Sequence, residues 1–400
     1  MTYKTLQLRR GKTESLRRFH PWVFSGALKF VPEDIQEGEV VRVESHDGEF
    51  LAIGHYQIGS IAVRVLSFDD EAVDEAFWHR RLREAYMLRK TLQLGGTSER
   101  PTNICRLVHG EGDRLPGLVI DRYGDTAVMQ AHSVGMHTAR HQIAQALVAA
   151  CNGDVRNVYY KSETTLPYKA ELTEKEGYLV EDAPHGAEAF SAIENGLRFR
   201  IDWLHGQKTG FFVDQRENRA LLERYAAGRR VLNMFCYTGG FSVYALRGGA
   251  EAVVSVDASE KAIALTRENV ALNFPGTTRH EAYAEDAFHF LSRAGRDFDL
   301  VILDPPAFAK HHSAVRNAIK GYTRLNQEAL SRIPSGGILF TFSCSQAITK
   351  EQFRLAVFTA AAQARRKVRI LHQLHQPADH PIDIYHPEGE YLKGLVLEVE

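Results

Sequence analysis

Residues 231–246, VLNMFCYTGGFSVYAL, decide the fold. They open as a short apolar strand over 231–235, turn through Tyr237-Thr238-Gly239-Gly240 and run on into an apolar helix. A second strand, AVVSV at 252–256, leads to Asp257, 18 residues beyond Gly239. Strand, glycine turn, helix, strand and acid make a nucleotide-binding βαβ unit. Glycine lets the backbone approach a ligand closely, and the acid takes a ribose hydroxyl pair. A dinucleotide fold needs G-x-G-x-x-G so that a helix N-terminus can seat a pyrophosphate. Here Y-T-G-G-F stands instead, with bulky residues where the first and third glycines belong. S-adenosylmethionine carries an adenosine and a sulfonium amino acid but no phosphate, so this turn suits a methyl donor. The plainer alternative is a pair of glycines that serve only a tight turn.

Strands and helices alternate around this unit to about residue 365. A helix is expected over 259–273 with Ser259 as its N-cap. Asp286-Ala287-Phe288 follows a strand end. A buried strand over 297–303 runs into Asp304-Pro305-Pro306-Ala307-Phe308, and another over 336–342 ends in Ser343-Cys344-Ser345. Residues 368–374 and 395–399 are expected to close the sheet as an antiparallel pair. Ligands of open α/β sheets bind outside the carboxyl ends of the strands. Gly239, Asp257, Asp286, Asp304 and Cys344 all fall there.

Asp304 and Cys344 bring chemistry to that edge. An acid followed by Pro-Pro is a rigid turn that fixes a carboxylate beside the methyl donor. Amino-methylating enzymes use a similar turn with an aromatic directly after the prolines, whereas here Ala307 intervenes before Phe308. Carbon 5 of a pyrimidine is a poor nucleophile. Addition of a thiolate at carbon 6 makes carbon 5 enamine-like and able to attack a sulfonium methyl group. Removal of the carbon-5 proton and elimination then free the enzyme. A lone cysteine is ordinarily a small core residue. Cys344 lies between two serines at a strand end, one strand on from Asp-Pro-Pro, and that position favours the nucleophile. Cys236 in the donor turn, and Cys105 and Cys151 outside this domain, take the structural reading. Two alternatives stay open. One is a methyltransferase acting on an exocyclic amine of an RNA base or on a protein amine, with Cys344 as packing. The other is an RNA-binding protein that keeps a vestigial donor fold.

Composition bounds the remaining possibilities. Hydrophobic residues at 44% and charged residues at 25% describe an ordinary globular chain, and 400 residues suggest two or three domains. No apolar run reaches transmembrane length, and the start is too polar for a secretory signal. The four cysteines are widely spaced with no C-x-x-C pair. This argues against zinc or a disulfide framework and fits a reducing cytosol, so a cytoplasmic location is expected. A net charge of −1 excludes a global basic footprint. Locally, however, the first thirty residues carry seven basic side chains against one acid, Glu14, and residues 31–49 carry seven acids against Arg42. Such a division can set phosphate contacts on one face, or it can be a solvated segment with no partner.

To about residue 74 the chain reads as a small all-β module. Alternating runs at 40–43, 50–53 and 61–65 are punctuated by Gly38, Asp47-Gly48 and Gly59-Ser60. Its opening, RRFHPWVFSGAL, resembles the start of a PUA domain, a compact β-barrel RNA-binding module. Arg9, Arg10, Arg17, Arg18 and His20 are the candidate RNA contacts, while Trp22 and Phe24 read as core aromatics. A charged helix is expected over 71–94. Arg80, Arg81, Arg83, Arg89 and Lys90 line it, and Phe77, Leu82, Ala85, Tyr86 and Leu88 are expected on its buried side. Gly95-Gly96-Thr97-Ser98 reads as a linker. A central α+β module follows, with a hairpin at 106–109 and 118–121, strands at 126–131, 155–161 and 177–181, and a helix at 137–150. Gly110-Glu111-Gly112 is taken as a turn, since no helix follows it. Asn195-Gly196 suits a type I′ hairpin turn at the entrance to the catalytic domain.

Taken together, HPWVFSGA, RLPGLVIDRYGD, QKTGFFVDQRENR at 207–219, VLNMFCYTGGF, VDAS, DPPAF, FSCS and QPADHPIDIYHPEGEYLKG at 376–394 resemble the RlmI-type 23S rRNA (cytosine-5)-methyltransferases. The resemblance implies an α/β chain in three parts: a PUA-like β-barrel over 1–74, a central α+β module over 75–189 and a Rossmann-like class I methyltransferase sheet over 190–400. It implies 23S rRNA as partner and S-adenosylmethionine as cofactor, with no metal and no membrane. Asp214, Gln215, Phe235, Tyr237, Thr238, Gly239, Asp257, Ala258, Ser259, Asp286, Ala287 and Asp304 would surround the cofactor. Cys344 would be the nucleophile and Asp304 would hold the cytosine edge. A second cytosine-5 design carries a further cysteine after the Asp-Pro turn, and this chain has Pro305-Pro306-Ala307 there. The base that removes the carbon-5 proton is left among Asp304, His380 and Glu388. The oligomeric state is left open, a homodimer included.

Overall fold

Period-two apolar alternation builds the first sheet of the protein. Residues 3–167, 172–182, 190–309 and 311–400 are described by the computed structural model. Strand β1 (Lys4–Gln7) leads through a short helix α1 (Glu14–Arg17) to β2 (Trp22–Phe24), β3 (Val40–Glu44), β4 (Phe50–Tyr56) and β5 (Ile61–Ser67). They pair in the order β1-β3-β4-β5-β2, with Leu6, Val41, Val43, Ala52 and Val63 inside. Of the two aromatics expected in this core, Trp22 is half-buried and Phe24 is exposed. Val23 between them takes the inward position, because neighbouring residues on a strand face opposite ways.

Helix α2 (Glu75–Thr91) is capped by Asp74, whose carboxylate accepts from the Phe77 amide at 3.0 Å. Phe77, Leu82, Ala85 and Tyr86 are buried as expected, but Leu88 is exposed, and Arg81 and Arg89 are buried in its place. Arg89 can be buried because Asp113 pairs with its guanidinium and the Arg106 carbonyl accepts from its Nε at 2.7 Å. The central sheet follows: β6 (Ile104–His109), β7 (Leu118–Tyr123), β8 (Thr126–Ala131), β9 (Asn157–Lys161) and β10 (Glu176–Val180), in reverse numerical order across the sheet. The expected helix over 137–150 is two pieces, α3 (Val134–Thr138) and α4 (Arg140–Ala150). Gly110-Glu111-Gly112 is a turn, and a Cβ added at Gly112 would meet the Pro381 carbonyl oxygen at 1.9 Å. Strands β11 (Ser191–Glu194) and β12 (Leu197–Arg200) are joined by Asn195 and Gly196 at φ +49° and +80°, the pair of left-handed residues a type I′ turn requires.

The chain divides into two units. The first is Met1–Gly196, Ile201–Val213 and Ala378–Gly389, and the second is Leu197–Arg200, Asp214–Pro377 and Glu390–Glu400. Two segments assigned from sequence to the methyltransferase domain, Ile201–Val213 and Ala378–Gly389, therefore pack within the first unit. The expected boundary at residue 189 lies outside the described residues.

The second unit is doubly wound. After α5 (Arg216–Glu223) come β13 (Arg230–Met234), α6 (Gly240–Arg247), β14 (Ala252–Asp257), α7 (Glu260–Asn273), β15 (His280–Ala284), α8 (Ala287–Arg293) and β16 (Leu300–Leu303). Then follow α9 (Val315–Arg332), β17 (Gly337–Ser343), α10 (Lys350–Gln363), β18 (Val368–His375) and β19 (Lys393–Val399). The strand order is β15-β14-β13-β16-β17-β19-β18. The first five run parallel, and β19 lies antiparallel between β17 and β18 as expected. Buried Leu232, Met234, Val301, Leu303, Leu339 and Leu397 from the sheet meet α9 and α10 in one core. The order reverses between β13 and β16, and such a switch point opens a crevice at the strand carboxyl ends. Register fixes what stands there. Met234 pairs with Val256 and Leu303, and Leu303 with Thr341. Phe235, Asp257 and Asp304 are thus level with one another, and Cys344 follows the end of β17. Among the described residues, no helix is long and apolar enough to cross a membrane.

Candidate functional site

The turn after β13 is unusual in its backbone. Phe235, Tyr237 and Gly239 all have positive φ, at +58°, +47° and +77°. Two bulky residues in the left-handed region store strain, which persists only where the surroundings fix it. Helix α7 supplies the fixing. Thr266 Oγ1 donates to the Tyr237 carbonyl at 2.8 Å, and Asn269 Nδ2 donates to the Thr238 carbonyl at 2.9 Å. A Cβ on Gly239 would stand 2.6 Å from Thr266 Cγ2, so glycine is required there for packing as well as for φ. Asp257 Oδ2 accepts from the Tyr237 amide and Oδ1 from the Ser259 amide, each at 2.9 Å. Each oxygen keeps a lone pair, so the carboxylate is held rigidly with capacity left for a ribose diol. Ala258 lies between these anchors, and Ser259 caps α7 through the Ala262 amide at 3.2 Å.

Asp214 and Gln215 stand in the turn that leads into α5. Gln215 Nε2 donates to Asp304 Oδ2 at 3.0 Å, and its own carbonyl oxygen accepts from Asn218 Nδ2 at 2.6 Å. Asp214 Oδ2 accepts from the Tyr391 hydroxyl at 2.6 Å. Asp214 Oδ1 is buried with no hydrogen-bond partner among the described residues. A buried orphan acceptor in a crevice fits the ammonium of an amino acid ligand.

Asp304 and Cys344 stand beside this turn. The Cys344 thiol is 3.9 Å from the Pro305 carbonyl oxygen. The flanking serines hold the loop. Tyr322 Oη lies 2.9 Å from both Ser343 Oγ and Ser345 Oγ, and Ser345 Oγ accepts from the Ala309 amide at 3.2 Å. The Asp-Pro-Pro turn and the Cys344 loop are thereby tied together. Burial, and then the Asp214 charge, push the Asp304 carboxyl up to about 7, against the Gln215 donation and Arg219. Burial, followed by the Asp304 and Asp214 charges, pushes the Cys344 thiol up to about 12, and Lys393 opposes them. Lys393 is buried and donates to the carbonyls of Ser345 at 2.6 Å and Ile348 at 2.7 Å. Its desolvation pulls it down to about 8.

Other expected residues stand differently. Ala287 is buried in the core at the first turn of α8, so its side chain is packing. Asp286 caps α8 by accepting from the His289 amide at 2.8 Å. Cys236 is packed with Ile263 and Ala282, in keeping with a structural role. His380 belongs to the first unit, where it is fully buried, with Nδ1 3.2 Å from Asp379 Oδ1 and its ring 5.0 Å from that of His109. Glu388 is in the same unit, 3.7 Å from His386 Nε2. Among the RNA candidates, Arg9 donates to the Leu28 carbonyl at 2.8 Å, and Arg17 and Arg18 form exposed ion pairs with Glu49 and Glu14. Arg10 is exposed, and His20 Nδ1 accepts from the Trp22 amide at 3.2 Å. Sequence reasoning missed Asn218, Tyr322, Tyr391 and Lys393. Asn218 and the last two lie inside the QKTGFFVDQRENR and EYLKG motifs, whereas nothing local to Tyr322 marks it.

Residues 180–395 match the family described as S-adenosylmethionine-dependent methyltransferase, and residues 6–68 match a PUA-like domain. The crevice thus belongs to a methyltransferase whose cofactor is S-adenosylmethionine. Ribosomal RNA large subunit methyltransferase I of Tolumonas auensis is 40% identical over 401 residues, which cover 98% of each chain. The Escherichia coli protein of the same name is 38% identical, with 98% of this chain and 99% of that one covered. A solved structure from Streptococcus mutans, described as a SAM-dependent methyltransferase, superimposes with a TM-score of 0.81 at 24% identity, over 98% of this chain and 99% of that one. The chain belongs to the ribosomal RNA large subunit methyltransferase I family.

Proposed function

We propose that this protein methylates carbon 5 of a cytosine in 23S ribosomal RNA, in the cytoplasm, with Cys344 as the nucleophile. The observation that carries this reading is a thiol tied by Ser345 to the Asp-Pro-Pro turn, beside a carboxyl group of raised pKa, at the switch-point crevice. The names of the 38–40% identical relatives support the RNA class. S-adenosylmethionine supplies an electrophilic methyl group. Asp257 takes the ribose hydroxyls and Asp214 the amino group, while Gln215, Phe235, Tyr237, Thr238, Gly239, Ala258, Ser259, Asp286 and the Ala287 backbone wall the adenosine and methionine portions. Cys344 Sγ adds to carbon 6 of the cytosine, Asp304 holds the base by its edge, and carbon 5 gains nucleophilic character. Once methylated, carbon 5 gives up its proton to a base, and the carbon–sulfur bond breaks to restore the thiolate. The PUA-like and central modules of the first unit position the RNA for the methyltransferase sheet of the second.

The test is incorporation of labelled methyl groups into unmodified 23S rRNA by wild type and Cys344→Ala, read by nucleoside mass spectrometry. The expected result is 5-methylcytidine from the wild type and none from the variant. A methylated adenosine or guanosine, or undiminished activity in the variant, would overturn the thiolate reaction and favour methylation of an exocyclic amine.

A further inference from the structure

Hydrophobic surface is ordinarily buried, yet the first unit leaves several aromatic rings in solvent beside one another. Phe19 is 49% exposed, Phe24 47% and Tyr385 48%. These rings fall in two clusters, which the chain joins at Phe19-His20 and Tyr385-His386. Phe19 lies 5.5 Å from Tyr385, and His20 lies 6.0 Å from Phe24 and 5.9 Å from His386. Trp22 packs on His386 at 4.3 Å and donates its indole N–H to Glu111 at 2.8 Å, which fixes the floor.

We propose that Phe19, His20, Phe24 and Tyr385 form a stacking platform for unpaired bases of RNA, with the arginines that precede them as phosphate contacts. This rests on the reading of the protein as an RNA methyltransferase. Three observations carry it. The first is backbone strain. Phe19 follows helix α1 with φ +61°, a position that glycine or asparagine fills at ordinary helix ends. Its amide donates to the Leu16 carbonyl at 2.8 Å, which closes the helix, and Phe68 meets its ring edge-on at 5.3 Å. A glycine would satisfy the backbone there, so a phenylalanine held in strain presents its ring. The second is His386. It is 3% exposed, and neither ring nitrogen has a hydrogen-bond partner among the described residues. The Glu388 carboxylate stands 3.7 Å from Nε2, beyond hydrogen-bond reach, so the ring keeps hydrogen-bonding capacity beside the aromatic rings. The third is charge. Arg17-Arg18-Phe19-His20 puts two exposed cations directly before the rings, in a thirty-residue segment with seven basic residues and one acid. Their ion pairs with Glu49 and Glu14 are solvent-exposed and exchange readily for phosphates. Aromatic faces with flanking cations bind single strands, because every base offers a π-face.

The test uses full-length protein and a fluorescent single-stranded 12-mer RNA, with a duplex of the same sequence as control. Affinity is read by anisotropy across a salt series, and circular dichroism with thermal denaturation checks that each variant is folded. Phe24→Ala and Tyr385→Ala are each expected to weaken single-strand binding on the order of tenfold, with an unchanged salt slope and no effect on the duplex. Tyr385→Phe keeps the ring and is expected to bind as wild type. Arg17→Gln is expected to lower the salt slope by about one. Wild-type single-strand affinity in the Phe24→Ala/Tyr385→Ala double variant, or equal losses on single strand and duplex, would overturn the platform alone. A wild-type protein that binds neither RNA would overturn the RNA reading, and the platform with it.

Discussion

Replacing Asp304 with asparagine tests the electrostatics on which the site depends. Folding raises this carboxyl from 3.8 to about 7, chiefly by burial and then by the Asp214 charge. At ~1.4 kcal/mol for each tenfold change in proton affinity, that rise has a ceiling of ~4 kcal/mol. The Asp304 side chain keeps partial contact with solvent, and screening brings the effect to roughly 2–3 kcal/mol. The sign follows from proton binding. The native state holds this proton more tightly than the unfolded chain does, so stability is complete below the unfolded value of 3.8 and is lost as pH rises through about 7. The amide that replaces it has no such proton to lose. Urea denaturation of both proteins at pH 5 and pH 8 reads the difference, because groups away from the site titrate alike in the two. The wild type is expected to lose roughly 2 kcal/mol over that interval relative to the variant. A second readout comes from Cys344, which is half-buried while the other three cysteines are buried. Removing the Asp304 charge lowers the thiol's pKa, so alkylation by iodoacetamide gains rate at lower pH in the variant. Parallel pH dependence of stability together with an unmoved alkylation profile would refute the reasoning.

Asp257→Ala removes the acceptor of two backbone amides and, in the proposed site, of the ribose diol. It is expected to cost about 1–3 kcal/mol of stability and at least about tenfold in S-adenosylmethionine affinity by calorimetry, and an unchanged affinity would refute the assignment. Gly239→Ala forces φ +77° on a residue with a Cβ that meets Thr266. A loss of about 2 kcal/mol in thermal denaturation is expected, and wild-type stability would show that the turn relaxes freely. Lys393→Met removes the cation that opposes the high Cys344 value. Alkylation of Cys344 at pH 9 is expected to slow several-fold while S-adenosylmethionine affinity stays unchanged, and equal rates would show that Lys393 acts only on the loop carbonyls.

The βαβ unit was legible in the sequence because its signals are local: an apolar run, a glycine that φ demands, and an acid at a strand end. Ser259 and Asn195-Gly196 were legible for the same reason, since caps and type I′ turns depend on a few adjacent residues. Lys393 was not, because its role arises from antiparallel pairing of β19 with β17, which sets it opposite Ser343, 50 positions earlier in the chain. The burial of Arg89 was not legible either, since only the fold reveals Asp113 as its partner. Phe24 was misread as core because an aromatic on a three-residue strand carries no period from which its face can be read. His380 sits in the same motif as Tyr391 and Lys393, yet the segment Ala378–Gly389 leaves the second unit and packs in the first. Sequence proximity to a motif says nothing about such an excursion.

The proposed reaction sets a constraint on how the nucleophile is made. With its thiol at about 12, Cys344 is protonated at neutral pH, and part of what holds the proton on is the Asp304 charge. Should Asp304 receive that proton, the charge disappears and the thiolate is no longer opposed by it. The transfer therefore costs less than the ~7 kcal/mol that values of about 12 and about 7 would suggest for independent groups. Lys393, at about 8, is mostly cationic at neutral pH and favours the thiolate. A neutral Asp304 also becomes a hydrogen-bond donor, and cytosine N3 is an acceptor. A proton shared with N3 draws electron density from carbon 6, the atom the sulfur attacks. One proton moved from Cys344 to Asp304 would thus create the nucleophile and activate its target together. An asparagine in that place could donate to N3 but could not take the proton. Asp304→Asn is therefore expected to keep RNA affinity near wild type and to lower the methylation rate by orders of magnitude in single-turnover assays. A variant that methylates at the wild-type rate would show that the thiol proton leaves by another route.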